Sequence, residues 1–388
     1  MVSHTGELGG AEIALLRLAG AIDRDAFELT ACLFAGGPLE RGLVALGIRV
    51  RRIDGEGLER RTRTEARSAR TMLRSIPASQ RLVRRLHTVI AQEHADLVVA
   101  NSLKAAMMTA FAAPIARRPW VWHLHDRITP DYLPVALATC LRGIALIGPR
   151  RVVANSRATA ATLRTLHKGG IVVAYPGIVG SEFDVPRPAG HDGAIGMVGR
   201  ISATKGQREF LDAVEVLMAA GRRETYRIIG AALFEDGQFE RGLREYAQSV
   251  PELREVEWTG WQEDVISQLR LLRLLVHASP VPEPFGQVVI EAMAAGVPVV
   301  AAQAGGIPEI VAPDGVMTRV APGVARGVCG LLVRPGDSQA LATAIGWALD
   351  HPEVMCAGAE RARTLTHSRF AIEETARIVE TVWREASM

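Results

Sequence analysis

The stretch LLVHASPVPEPFGQVVIEAMAAGVPVVAA, Leu274 to Ala302, carries the fold in its pattern. An apolar run breaks at Ala278, Ser279 and Pro280, and the chain turns again at Pro284, Phe285 and Gly286. Gln287 to Ala294 then reads as a helix, with Gly296 as its C-cap, and VPVVAA is a second apolar strand. Strand, loop, helix, strand is the unit of a parallel sheet covered on both faces. The loop ahead of the helix lies at the C-terminal end of a strand, where such sheets hold ligands. The first amides of a helix lack internal partners and carry partial positive charge, which suits a phosphate. Two acids, Glu283 and Glu291, flank that position. Glu283 can reach a group on one side of the phosphate, and Glu291 can accept bonds from paired hydroxyls such as those of a ribose. A ligand built as sugar, diphosphate and ribose would meet both. Taken alone, the spacing equally fits a complement to the helix dipole and a solvated helical carboxylate.

The same alternation extends through the chain. Strands are expected in ELTACLF, IRVRRI, DLVVA, WVWHL, RVVAN and IVVAY, and after residue 193 in AIGMV, YRIIG, VEWTG, LLVHA, VPVVAA and GLLV. Between them lie helical patterns such as SQRLVRRLHTVIAQEH, in which Leu82, Val83, Leu86, Val89 and Ile90 share a face. The Gly-, Pro- and Asp-rich segment Gly177 to Gly193 reads as a linker. The expected architecture is α/β: two Rossmann-like parallel-sheet domains, residues 1–180 and 190–367, facing an interdomain cleft. A terminal helix over 368–388 could pack on either domain.

Two further loops suit anions. In GMVGRISATKGQREF, a strand leads through Gly199 and Arg200 to Lys205, Gly206 and a helix. A planar guanidinium and a compact ammonium together suit a diphosphate. Lys205 is one of three lysines, so composition alone accounts poorly for its place beside Gly206. In SHTGELGGAE, Gly6, Gly9 and Gly10 let backbone approach a ligand closely, although the spacing is not that of a dinucleotide fingerprint. The strand before this loop is so short that a start upstream of Met1 stays open.

Composition narrows the rest. The 388 residues are 48% hydrophobic and only 5% aromatic, with a net charge of +3. No apolar run reaches the ~20 residues that cross a bilayer. The four cysteines are scattered, which fits a reducing cytoplasm. Arginines crowd the region from Arg49 to Arg85. This reads chiefly as a solvated helical face, and otherwise as a patch for an anionic acceptor or the inner face of a membrane. Nucleic acid is not expected, because no aromatics interleave with the arginines. Asp23-Arg24-Asp25 imitates a metal-binding Asp-x-Asp but falls between a helix and a strand, where a turn is expected. No metal and no cofactor is expected.

EPFGQVVIEAMAAGVPVVAAQAGGIPEIV with GRISATKG resembles glycosyltransferase family 4, retaining enzymes of the GT-B fold. GELGGAE, VWHLHD, RVVANS and GLLVRPGD extend the resemblance over nearly the whole chain. It implies that residues 1–180 form an acceptor-side domain, that 190–367 bind a nucleotide-sugar donor, and that the last helix returns to the first domain. It implies that Glu283 contacts donor-sugar hydroxyls, that Glu291 binds the ribose, and that Arg200 and Lys205 hold the diphosphate. The amides of Phe285, Gly286, Gln287 and Val288 would add hydrogen bonds to sugar and phosphate. Gly9 and Gly10 would lie under the diphosphate, and His125, rather than His123, beside the reacting sugar. One departure is Pro176, where many members have Asn before Gly.

The implied reaction is transfer of a hexose or N-acetylhexosamine from a nucleotide diphosphate sugar to a hydroxyl of a glycan, lipid-linked or small-molecule acceptor. UDP-sugars are the first expectation and GDP-mannose the second. A sugar-nucleotide epimerase, a phosphorylase and a non-catalytic nucleotide-sugar sensor are the alternatives.

Overall fold

The structure, a computed structural model, describes residues 1–55, 57, 69–167, 169–184, 193–233 and 236–388, with backbone alone over 69–76. Much of the arginine-rich region, Lys168 and residues 185–192 of the expected linker lie outside the described residues. The chain forms two compact units, Met1–Gly177 with Ile372–Met388, and Ile178–Ala371.

The first unit is a seven-stranded sheet, parallel throughout. Its strands are β1 (Val2–Ser3), β2 (Thr30–Leu33), β3 (Arg49–Arg52), β4 (Val98–Ala100), β5 (Trp120–Leu124), β6 (Arg151–Ala154) and β7 (Ile171–Val173), in the order β3-β2-β1-β4-β5-β6-β7. The short β1 is central, pairing Val2 with Cys32 on one side and Ala100 on the other. The strand order reverses between β1 and β4, so the loops after them share a switch point. α1 (Gly10–Ala21) follows β1, and α4 (Leu103–Ile115) follows β4, capped by the Ser102 hydroxyl on the Ala105 amide. α3 (Ala69–Gln92) buries Leu82, Leu86 and Ile90 in a core shared with Met108, Trp120 and Trp122.

Edge strand β3 exposes Arg49, Arg51 and Arg52, and charge there discourages pairing with another sheet. Arg49 and Arg51 both reach Glu93, at 2.9 and 2.6 Å, and Arg85 donates to the Asp54 carbonyl at 3.1 Å. These described arginines are thus engaged with their own unit. Asp23 accepts from the Asp25 amide at 3.0 Å, making the DRD segment a side-chain-supported turn. No described helix is long and apolar enough to cross a membrane.

The last helix, α14 (Ile372–Ser387), completes this unit. Trp383 is buried, stacks on His123 with ring centroids 5.7 Å apart, and donates its indole N–H to His123 Nε2 at 3.2 Å. Thr375 donates to the Tyr175 carbonyl at 2.8 Å.

The second unit has eight strands in the order β10-β9-β8-β11-β12-β15-β14-β13. β8 (Ala194–Val198), β9 (Tyr226–Ile229), β10 (Glu257–Gly260), β11 (Leu272–His277), β12 (Val299–Ala302) and β15 (Gly330–Val333) run parallel. β13 (Thr318–Ala321) and β14 (Val324–Gly327) add an antiparallel hairpin that the sequence reading did not anticipate. The hairpin lies at the sheet edge, with Thr318 and Arg319 exposed, so it lacks the apolar run that marked the central strands. α7 (Gln207–Ala219) follows β8, and α10 (Gln287–Ala294) follows β11. Gly296, at φ +70, stands just past α10 in the left-handed conformation of a C-terminal stop.

Trp383→Ala would remove a fully buried ring and orphan His123. The expected loss is about 3–5 kcal/mol in the stability of the first unit, read by chemical denaturation.

Candidate active site

In the second unit two loops converge at strand C-termini. The first, Gly199 to Gly206, is shaped by the buried side chain of Gln207. Gln207 donates to the Arg200 carbonyl at 3.0 Å and accepts from the Ser202 amide at 3.3 Å. Ser279, just after β11, donates to the Thr204 carbonyl at 2.5 Å and ties this loop to the next strand. Gly206 has φ +86, and a Cβ there would stand 2.1 Å from the Ala278 carbonyl oxygen. Only glycine allows the chain to enter α7 at that distance.

The second loop, Pro280 to Gly286, carries Glu283. Its backbone is held by Gly306, whose amide donates to the Glu283 carbonyl at 2.9 Å. Gly305 has φ +64, and a Cβ there would lie 1.9 Å from that carbonyl oxygen. The GG of AGGIPEI therefore exists to receive Glu283. Phe285 is buried edge-to-face on Phe370, with centroids 5.9 Å apart, so its side chain anchors the turn. α10 starts there, and its first internal bond runs from the Val289 amide to the Gly286 carbonyl at 3.0 Å. The amides of Gln287 and Val288 precede that bond, as an anion site at a helix start requires.

The loops meet through their side chains. Lys205 Nζ donates to both oxygens of Glu283, at 2.9 Å each. His277, the last residue of β11, puts Nε2 3.5 Å from Glu283 Oε2, too far for a good hydrogen bond. Burial alone would push the Glu283 carboxyl up. The Lys205 ammonium, with the His277 ring beside it, more than reverses this and holds it well below the usual carboxylate range. Arg200 reaches Asp236, with Nη1 to Oδ2 at 3.6 Å. Glu291 is 7% exposed and accepts from Gln287 at 3.3 Å. The solvated-carboxylate reading of Glu291 is thereby excluded: α10 packs it inward.

In the first unit, the glycine loop opens α1 with Gly9 as N-cap. The Glu12 carboxylate turns back toward the helix start, with Oε2 3.0 Å from where a Cβ on Gly9 would stand. Burial, with the Asp126 charge added, pushes Glu12 up to about 7 against the pull of its own amide and that of Gly9. The Glu12 carboxylate thus lies against Gly9, an arrangement the glycine pattern did not reveal. His125 donates from Nε2 to Asn101 Oδ1 at 3.0 Å, while Asn101 Nδ2 donates to the Ala11 carbonyl at 3.3 Å. Asn101 thereby links His125 to the start of α1. Burial lowers His125 to about 4, so it is neutral at pH 7, with its proton on the nitrogen facing Asn101. His123 faces Trp383 and is lowered by burial to about 3.

The structure therefore unites Lys205 with Glu283 and Gln287 with Glu291, sends Arg200 to Asp236, and sets Gly9, Gly10 and His125 in the other unit. Sequence reasoning missed His277, Gln207, Glu12 and Asn101. His277 was visible as a polar residue ending an otherwise apolar strand. The others gave no signal of spacing.

Two family models match the chain: Glycosyl transferases group 1 over residues 181–364, and Glycosyltransferase Family 4 over residues 8–179. Among solved structures, HepE of Anabaena in complex with UDP and glucose is 27% identical, with a TM-score of 0.79 over 98% of each chain. HepE in complex with UDP-glucose is 26% identical, with a TM-score of 0.80 over 99% of this chain and 98% of that one. The sucrose-phosphate synthase of Thermosynechococcus elongatus shares the fold, at 18% identity and a TM-score of 0.77 over 99% and 97% of the two chains. No protein of curated function matches. Two mostly parallel sheets with these neighbours define a GT-B glycosyltransferase. More particularly, the chain belongs to glycosyltransferase family 4.

The depressed Glu283 carboxyl contributes stability that is present above its unfolded value near ~4.3 and lost as pH falls below it. Lys205→Met would strand the carboxylate. The expected destabilisation is about 2–3 kcal/mol at pH 7, discounted because Lys205 is a third exposed. The gap to the native chain should narrow below about pH 4 in denaturation curves; a gap independent of pH would refute the assignment.

Proposed function

We propose that the protein is a retaining hexosyltransferase acting on a UDP-linked sugar, with a hydroxyl of a glycan, lipid-linked or small-molecule acceptor. The observation that carries this reading is the Lys205–Glu283 pair, set where the loops before α7 and α10 meet. The choice of UDP over GDP-mannose is supported by likeness to HepE, which binds UDP and UDP-glucose. A cytoplasmic place, at the inner membrane face, belongs to the same reading.

Transfer breaks the bond between the anomeric carbon and the diphosphate oxygen. Positive charge grows on the sugar ring and negative charge on the leaving phosphate. Arg200, Lys205 and the amides of Phe285, Gly286, Gln287 and Val288 stabilise the leaving group, the preorganised electrostatics that usually dominate such catalysis. Glu283 holds hydroxyls of the hexose and Glu291 those of the ribose. Glu283 is not the nucleophile of a double displacement, in contrast to retaining glycosidases. The acceptor oxygen attacks from the face the phosphate leaves, and a phosphate oxygen takes its proton. Gly9, Gly10 and His125 keep the roles that the resemblance implies. No metal or cofactor enters the reaction.

The test is incubation with a panel of nucleotide sugars. Slow release of UDP from one of them is expected, with Glu283→Gln turning over about a hundredfold more slowly. Binding without release would replace the transferase by a sensor. Once an acceptor is found, proton NMR should show the donor's anomeric configuration kept in the product; inversion would end the retaining reading.

A further inference from the structure

His277 is a buried polar residue of the second unit that the reaction above leaves unused. It ends β11, is 6% exposed, and neither ring nitrogen has a hydrogen-bond partner among the described residues. Burying an unpaired polar group is costly, so a partner in another state is the physical expectation. The Glu283 carboxylate lies 3.5 Å from Nε2. We propose that His277 is the positioning residue for Glu283, taking over its carboxylate when the donor's diphosphate draws Lys205 away. This rests on the donor reading just given.

The argument is one of counting protons and charges. The Lys205 ammonium carries three protons and directs its bonds at both oxygens of Glu283. The proposed function asks Lys205 to hold a diphosphate and Glu283 to hold hexose hydroxyls, so the pair must part. A diphosphate bears more charge than one carboxylate and wins the ammonium. Glu283 is then left buried without its main counter-charge, and burial drives a carboxyl toward its protonated form. A protonated Glu283 would present the hexose with a donor in place of an acceptor. Closing by about 0.6 Å brings His277 Nε2–H to ordinary hydrogen-bond distance from Oε2. That keeps one oxygen fixed and leaves the other to accept from the sugar. An aliphatic residue would fill the end of β11 equally well but could not do this.

The experiment compares the native chain with His277→Leu and His277→Gln by calorimetric titration with UMP, which has no diphosphate to draw Lys205 away, and with UDP-glucose. The leucine variant should bind UMP within about twofold of the native chain and UDP-glucose roughly tenfold more weakly. Glutamine, whose side-chain amide can donate to the same carboxylate oxygen, should restore most of the loss. Equal weakening of both ligands, no weakening, or no rescue by glutamine would overturn the proposal. A second arm needs no ligand. In a Lys205→Met background, which frees Glu283 as the donor would, His277→Leu should lower Tm distinctly more than in the native chain; an equal or smaller shift also overturns the assignment. If the native chain binds no nucleotide sugar, the donor reading fails, and this ligand-free comparison still decides the partnership of His277 with Glu283.

Discussion

The ion pair between Lys205 and Glu283 is the interaction on which the second unit's site depends. One ammonium spans both oxygens of a largely buried carboxylate, and each partner comes from a different crossover of the sheet. A charge pair in such surroundings survives only when its geometry is good and its neighbours are fixed. Both conditions are met by small residues. Gly206 lets the lysine loop pass against Ala278, and Gly305 and Gly306 let the Glu283 backbone dock. Gln207 and Ser279 then tie the loop that bears the lysine to the end of β11. The site is a set of backbone constraints that leaves two opposite charges in contact.

The first unit follows a different logic. Its candidate residues are neutral or neutralised. Asn101 fixes which nitrogen of His125 carries the proton, and Glu12 folds back on the helix start that follows the glycines. The wall behind His123 comes from α14, more than two hundred residues distant in sequence, through one tryptophan. His123, two residues before His125, thus becomes a packing element: it lies within β5 and meets Trp383, whereas His125 follows the strand and meets Asn101. Neutral hydrogen bonds thus mark the candidate residues of the first unit, and a charged pair those of the second.

Much of this was legible from residues alone. Short β-rich runs marked six strands of each sheet, and those of the central strands are apolar because both of their faces are buried. The hairpin of β13 and β14 escaped because an exposed edge pair carries no such run. Lys205 and Glu283 were found by their place at loop–helix junctions. Their mutual contact was not, since 78 residues separate them and nothing local sets the distance. Glu291 could be read as solvated or bound, and only packing could turn it inward.

The sequence by itself determined the α/β class and the family, because periodicity and loop–helix junctions are local properties that a linear pattern carries in full. Which side chains meet was decided by the tertiary structure: His277 beside Glu283, Asn101 beside His125, Arg200 beside Asp236, Trp383 against His123. Those meetings depend on how crossovers bring distant strand ends to one edge, and the long-range register that sets them leaves no trace in the neighbouring residues.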